Sequence, residues 1–353
     1  MKSRFLKNYI VFFFPIFFSC IDPYEVSIED GPQLLTIDGM ISSGQGPTTI
    51  KLTRSDTYGS VFEGLVRPVA GATVIVRDET GKVIFLSEDP ENRGFYLTPA
   101  DFSAEIGRTY TLQIQLLDGK VYTSLPEKVV PVPEIQNISY QVERIPVEGE
   151  INDASGVQLI VDLEDPAEEN NFYYWRKGES VHVLETRPDL YIAPPPSRAP
   201  DPKDCCAVCF RTEQTSNSSI FIAKDDNFNG LNTRLPAAFI LDNALRFVNT
   251  FRIDLEQYSI SQEAYRFLRL AKQQSEVSGS VFDPPPANIR GNMISLDNPD
   301  EVVLGYFMAV GEARKRIYIN GADLDFRQPA GLITDDCRVV DGATLNAPAD
   351  WSP

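Results

Sequence analysis

The sequence predicts a mainly β protein: an N-terminal β-sandwich, then a second β-rich domain with one inserted α-helix. Three observations carry that expectation. Short apolar runs with two-residue alternation recur from Leu34 onward, separated by Gly, Asp and Pro. One segment, SQEAYRFLRLAKQQSE, has the spacing of a helix. The chain has 353 residues and is 42% hydrophobic, enough for two domains with cores of their own.

Residues 1–19 read as a signal peptide. Lys2, Arg4 and Lys7 precede an apolar run from Tyr9 to Ser19 that Pro15 interrupts. The run is too short for a spanning helix of roughly 20 residues, and its basic, apolar and small-residue order is that of a secretory leader. Cys20 follows Ser19 directly. The junction resembles a bacterial lipobox, in which the cysteine becomes the lipid-bearing N-terminus, although Phe17 and Phe18 replace its usual Leu and small residue. The alternatives are an ordinary leader that contains a cysteine, or a transmembrane helix. Residues 20–33, with Asp22, Glu25, Glu29 and Asp30, bury too little apolar surface to fold alone and read as a lipidated tether. Lipid on Cys20 would anchor the chain to a membrane without spanning it. The acidic residues behind it resemble those that send some Gram-negative lipoproteins to the outer face.

Residues 34–133 form the expected sandwich. LLTIDGMI, TTIKLTR, ATVIVRD, KVIFLS, GFYLT, TYTLQIQLL and KVYTSL alternate as strands, and Asp118-Gly119 marks a hairpin. Seven strands at this spacing suit an Ig-like sandwich. The stretch PVAGATVIVRDETGKVIFLSEDPENRGFYLT, with Pro68, Gly71, Ala72, Asp78, Gly81, Gly94 and Tyr96, resembles the transthyretin-like or carboxypeptidase-regulatory-like sandwich. That resemblance implies a binding or spacer module without chemistry. Pro131 and Pro133 then stiffen a link, which places a domain boundary at 133.

The second domain is expected over residues 134–320. IQNISYQVERI, GVQLIVDLED, NFYYWRK, VVLGYFMAV and RIYI read as strands. Residues 185–210, with Pro194, Pro195 and Pro196, read as a long surface loop. The helix is placed near 261–276, capped by Ser261, with Ala264, Phe267, Leu268 and Ala271 on one face. Residues 321–353 are a polar C-terminal tail anchored by Cys337.

Charge and residue usage exclude several functions. A net charge of −18 should repel nucleic acid and anionic lipid, so no nucleic-acid partner is expected. The single histidine, His182 in SVHVLE, reads as a sheet residue; triads and most metal sites draw on histidine. The expectation is a non-enzyme without cofactor or metal. Cys205, Cys206, Cys209 and Cys337 read as two disulfides rather than a Cys₄ zinc site. Pairing Cys337 with Cys209 would force a bond between neighbours, so Cys337 is expected to join Cys205 or Cys206, with Cys209 taking the other. In KDDNFNGLNTRLP, Asp225, Asn227, Asn229 and Gly230 match the first half of an EF-hand-type calcium loop. Its twelfth position is Pro236 instead of Glu, so the segment reads as a turn. The acidic run Asp162, Glu164, Asp165, Glu168 and Glu169 reads as solvated rather than as paired catalytic carboxylates.

The stretch SGSVFDPPPANIRGNM supplies partner-binding candidates: Phe282, Asp283, Pro284, Pro285, Pro286, Gly291 and Asn292. Three prolines keep it extended, and a stiff segment loses little entropy on docking. The competing reading is that Phe282 plugs the protein's own core. Together, Cys20 with PYE, the sandwich motif, Tyr173–Arg176, Ser261–Phe267, Gly279–Pro286, Gly291-Asn292 and Val303–Phe307 resemble a large uncharacterised lipoprotein family of Bacteroidetes, catalogued as a domain of unknown function. Genes of that family commonly sit beside TonB-dependent outer-membrane receptors. The resemblance covers essentially the whole mature chain. It implies a non-enzymatic, surface-exposed outer-membrane lipoprotein that serves such a receptor in nutrient capture or gating, and it brings no catalytic residues. The alternative is a stand-alone glycan- or peptide-binding or adhesive surface lipoprotein.

Overall fold

Two-residue alternation builds the first half of the molecule. The computed structural model describes residues 33–55, 67–145, 153–167, 170–214, 219–276, 289–331 and 335–353; the leader, Cys20 and nearly all of the tether lie outside them. The first strands are β1 (Leu35–Ser42), β2 (Thr49–Arg54), β3 (Arg67–Pro68), β4 (Thr73–Asp78), β5 (Val83–Glu88), β6 (Phe95–Leu97), β7 (Thr109–Gln115), β8 (Val121–Ser124) and β9 (Glu127–Lys128). One layer runs β8–β7–β4–β5, the other β6–β2–β1, and β5 turns the corner onto β6. Inward side chains Ile37, Ile50, Leu52, Val74, Val76, Leu112 and Ile114 fill the space between them. Tyr96 locks the corner: its hydroxyl donates to the Val69 carbonyl and accepts from the Ala72 N–H, both at 2.9 Å.

The rest of the chain gives β10 (Asn137–Ile145), β11 (Ala154–Glu164), β12 (Phe172–Glu185), β13 (Val208–Gln214), β14 (Phe221–Lys224), β15 (Asn232–Leu241), β16 (Thr250–Ser259), α1 (Gln262–Ser275), β17 (Met293–Ser295), β18 (Leu304–Asn320) and β19 (Ala343–Thr344). A three-stranded sheet, β10–β11–β15, faces a larger one, β18–β16–β12–β13–β19. Leu159, Val161, Tyr173, Trp175, Ile253 and Leu255 pack between them. Helix α1 covers the opposite face of the larger sheet. Ser261 caps it by accepting the Ala264 N–H at 3.1 Å, and Ala264 and Leu268 bury beside Tyr174, Tyr258 and Met308. The protein is thus mainly β with a single α-helix among the described residues, as its alternation predicts.

The expected division at residue 133 does not describe how the chain packs. The two late strands are one, the 17-residue β18. Its first part runs parallel to β1, from Thr36 opposite Leu304 to Ser42 opposite Val310. Its second part runs antiparallel to β16, from Ser259 opposite Gly311 to Thr250 opposite Asn320. Strand β17 extends β8, and Met293, Val303, Phe307 and Ala309 complete the first core. Gly305 makes the close approach to β1 possible: its φ is +87°, and a Cβ there would lie 1.8 Å from the Ile37 carbonyl oxygen.

The disulfide pairing also differs from expectation. Cys205 bonds Cys206, and Cys209 bonds Cys337 with Cα atoms 5.7 Å apart. Cys209 lies on β13 opposite Leu184 and turns into a small core where Cys337 is fully buried. The Cys337 backbone, not its thiol, meets Cys206, donating to that carbonyl at 3.2 Å. The burial of Cys209 and Cys337 in one core overrides the local geometric penalty on adjacent cysteines. The tail beyond residue 335 folds back onto the sheet. Trp351 sets its edge against Phe210 and Tyr318, and Asp350 pairs with Arg252 and Arg316.

Candidate functional site

A cleft of about 570 Å³ opens where β18 leaves β1 for β16. Strands that diverge at a shared neighbour leave a notch between their far ends. Asp38, Met40 and Ser42 of β1, Lys51 of β2 and Phe95 of β6 form one wall. Arg176 to Glu179 of β12, Glu256 and Tyr258 of β16, and Glu312 and Arg314 of β18 form the other.

Much of this charge is internally paired. The Ser42 hydroxyl donates to Glu312, the Glu312 N–H donates to the Ser43 hydroxyl at 2.9 Å, and a Cβ at Gly44 would lie 2.4 Å from the Glu312 carboxylate. Arg314 bridges Glu312 and Glu256 at 2.9 and 3.1 Å, and the Tyr258 hydroxyl donates to Glu256 at 2.6 Å. Burial raises the Tyr258 pKa well above its ordinary value, so the phenol remains a donor. Glu179 pairs with the fully buried Arg252. Lys177 directs its ammonium to the Phe239 carbonyl of β15, where burial lowers its pKa to about 8.

Arg176 is different. It follows Tyr174 on the α1-facing side of β12, and its buried Nε has no hydrogen-bond partner. Burial opposes its charge, yet Tyr174, Tyr258, Asp38 and Glu256 hold its pKa above the ordinary arginine value. A guanidinium so placed can grip a carboxylate, sulfate or phosphate through two parallel hydrogen bonds. Ser42 is buried and engaged with Glu312, so it is no exposed nucleophile. His182 lies elsewhere, fully buried beside Phe251, where desolvation lowers its pKa to about 4.

The residues singled out from sequence do not converge on this cleft. Phe282, Asp283, Pro284, Pro285 and Pro286 lie outside the described residues, as does Cys20. Gly291 and Asn292 are described, and they are packing residues. A Cβ on Gly291 would lie 1.5 Å from the Gly305 carbonyl oxygen. Asn292 is 3% exposed; its Oδ1 accepts the Phe307 N–H at 2.9 Å and its Nδ2 donates to the Phe307 carbonyl at 2.8 Å. Within the fold these two act as internal supports. Sequence reasoning missed Arg176, Glu256, Glu312 and Arg314. The available signal was a run of charge inside otherwise apolar strand sequence, as in YYWRK and GEARK.

A family model described as Domain of unknown function (DUF4249) matches residues 21–316. No curated protein matches the chain.

Proposed function

The chain belongs to that family, and from this premise and the cleft we propose that it is a non-enzymatic outer-membrane lipoprotein holding a polar, anion-bearing ligand for a TonB-dependent receptor. Lipid on Cys20 and the acidic tether behind it would keep it at the cell surface. Among the described residues no helix is long and apolar enough to cross a membrane. The observation that carries the reading is Arg176, a charged fork with an unpartnered Nε in a cleft wide enough for a small ligand. The association with a receptor rests on the resemblance to Bacteroidetes lipoproteins.

The test is purification of the native protein from detergent-solubilised outer membrane, with identification of what accompanies it. A TonB-dependent receptor should co-purify, and Cys20→Ala should leave the membrane fraction. Arg176→Gln should keep the receptor and lose receptor-dependent uptake. A chain that purifies alone, or a Cys20→Ala variant that partitions like wild type, overturns the proposal. Ligand retention without any receptor would instead identify the stand-alone binding protein.

A further inference from the structure

On the face of β12 opposite Arg176 lies a second polar cluster, with two carboxylates that have no cationic partner. Asp225 is fully buried and Asp165 is 4% exposed. Neither forms an ion pair with a lysine or arginine among the described residues; nearby Lys224 pairs with Asp226 instead. Asp165 accepts the Tyr173 hydroxyl at 2.5 Å and the Gly230 N–H at 3.0 Å. Asp225 accepts the Asn171 N–H at 2.7 Å through Oδ2, while its Oδ1 is buried and has no partner. Both carboxylates act on the same Tyr173 hydroxyl and raise its pKa, after burial itself. Two carboxylates buried without a cationic partner are costly to keep out of water. An orphaned carboxylate oxygen in such a place is a ligand waiting for a cation.

The sequence around it names the cation. Asp225, Asn227 and Asn229 occupy alternate positions and Gly230 follows, with φ at +73°. This is the order D-x-N-x-N-G of calcium loops, in which the first, third and fifth residues ligate and the glycine turns the chain. The expected obstacle was Pro236 at the twelfth position. In the fold that position lies on β15 opposite Ile160, so a carboxylate that closes the loop would come from another element. Asp165, just past the end of β11, already binds the Gly230 N–H. Among the described residues no trio of His, Cys, Asp or Glu gathers at one point, so a cation here would also need amide and carbonyl oxygens, which calcium accepts and most transition metals do not.

We propose that Asp225, Asn227 and Asn229, closed by Asp165, form a calcium site that pins the β14–β15 connection onto the end of β11. The segment folds as the turn its sequence predicts, with a 3-10 turn at Asp225–Asn227, whereas Asp165, expected to be solvated, is buried. The ion stabilises the fold and lies apart from the ligand cleft, so the two proposals stand independently.

The experiment uses the full chain stripped with chelator and titrated with terbium, a luminescent calcium substitute, then with calcium. Tyr173, with Trp175 at 5.9 Å between ring centroids, should sensitise terbium emission, and calcium should quench it by competition. Calcium should also raise the melting temperature by a few degrees, as any ligand of the native state does. Asp225→Asn should weaken affinity by at least ~10-fold. Asn229→Ala removes an exposed side chain, so it keeps the fold and should weaken binding as well. Absence of emission and of a melting shift in the wild type overturns the site. Calcium affinity unchanged in both variants places the ion elsewhere and overturns it equally.

Discussion

Replacing Asn292 by alanine strips the backbone of β18 of both its partners at Phe307. At that point β18 is paired with β1 on one side, and β16 does not join the other side until Gly311. The Asn292 amide fills the gap, satisfying the Phe307 N–H and carbonyl together and reaching Glu127 at 3.3 Å. In the alanine variant two buried backbone groups lose their hydrogen bonds, each at a cost of ~1–3 kcal/mol. The expected loss is about 2–6 kcal/mol, read in urea as an earlier midpoint and in calorimetry as a drop of roughly 4–12 °C. Asn292→Asp keeps the acceptor but not the donor and adds a charge beside Glu127, so it should be no better. A melting temperature unchanged in Asn292→Ala, with receptor co-purification lost, would refute the reasoning and restore this residue as a partner contact.

Glu127 gives a pH dependence. Burial pushes its carboxyl above the ordinary glutamate value, against the pull of hydrogen bonds from Tyr306, Ser261 and Asn292. The native state therefore holds this proton more tightly than the unfolded chain. The stability it contributes is complete below the ordinary value near 4.5 and is lost as pH rises through the raised one. Urea titrations across that window should show wild type losing stability relative to Glu127→Gln; parallel curves would exclude the effect. The disulfides give the third prediction. Cys209–Cys337 closes a sequence separation of 128, so Cys209→Ser should cost up to about 4–5 kcal/mol in denaturant, far more than Cys205→Ser. Peptide mapping that joins Cys337 to Cys205 or Cys206 would contradict the pairing.

The strands of the first half were legible because each buries one face and shows it as alternation, from LLTIDGMI to KVYTSL. The helix was legible from Ser261 and the apolar spacing behind it. The closure of β1 by β18 was not, because a parallel pairing across most of the chain leaves no mark on either segment. The break expected inside β18 came from the charges of GEARK, which alternation alone reads as a loop. Asn292 stood out in the sequence for its place after Gly291, but only the backbone of Phe307 explains it. The cleft was invisible for a related reason: Arg176, Glu256 and Arg314 meet only after three strands align. The cysteines showed their state but not their partners, since partnership is decided by which side chains share a core.

The long strand β18 has a consequence for how the protein is made. The Ser42 hydroxyl and Glu312 are 270 positions apart, yet they sit side by side. Chains emerge from the ribosome and from export channels with the N-terminus leading, so β1 appears early and waits for residues 304–310 with one hydrogen-bonding edge open. Pairings this distant form slowly. Through that interval the edge is a template for any passing strand, including a sister chain's, and a chaperone that shields extended segments would have its most valuable task there. A fragment ending at residue 133 would keep that edge permanently, and its fate is aggregation rather than an isolated sandwich.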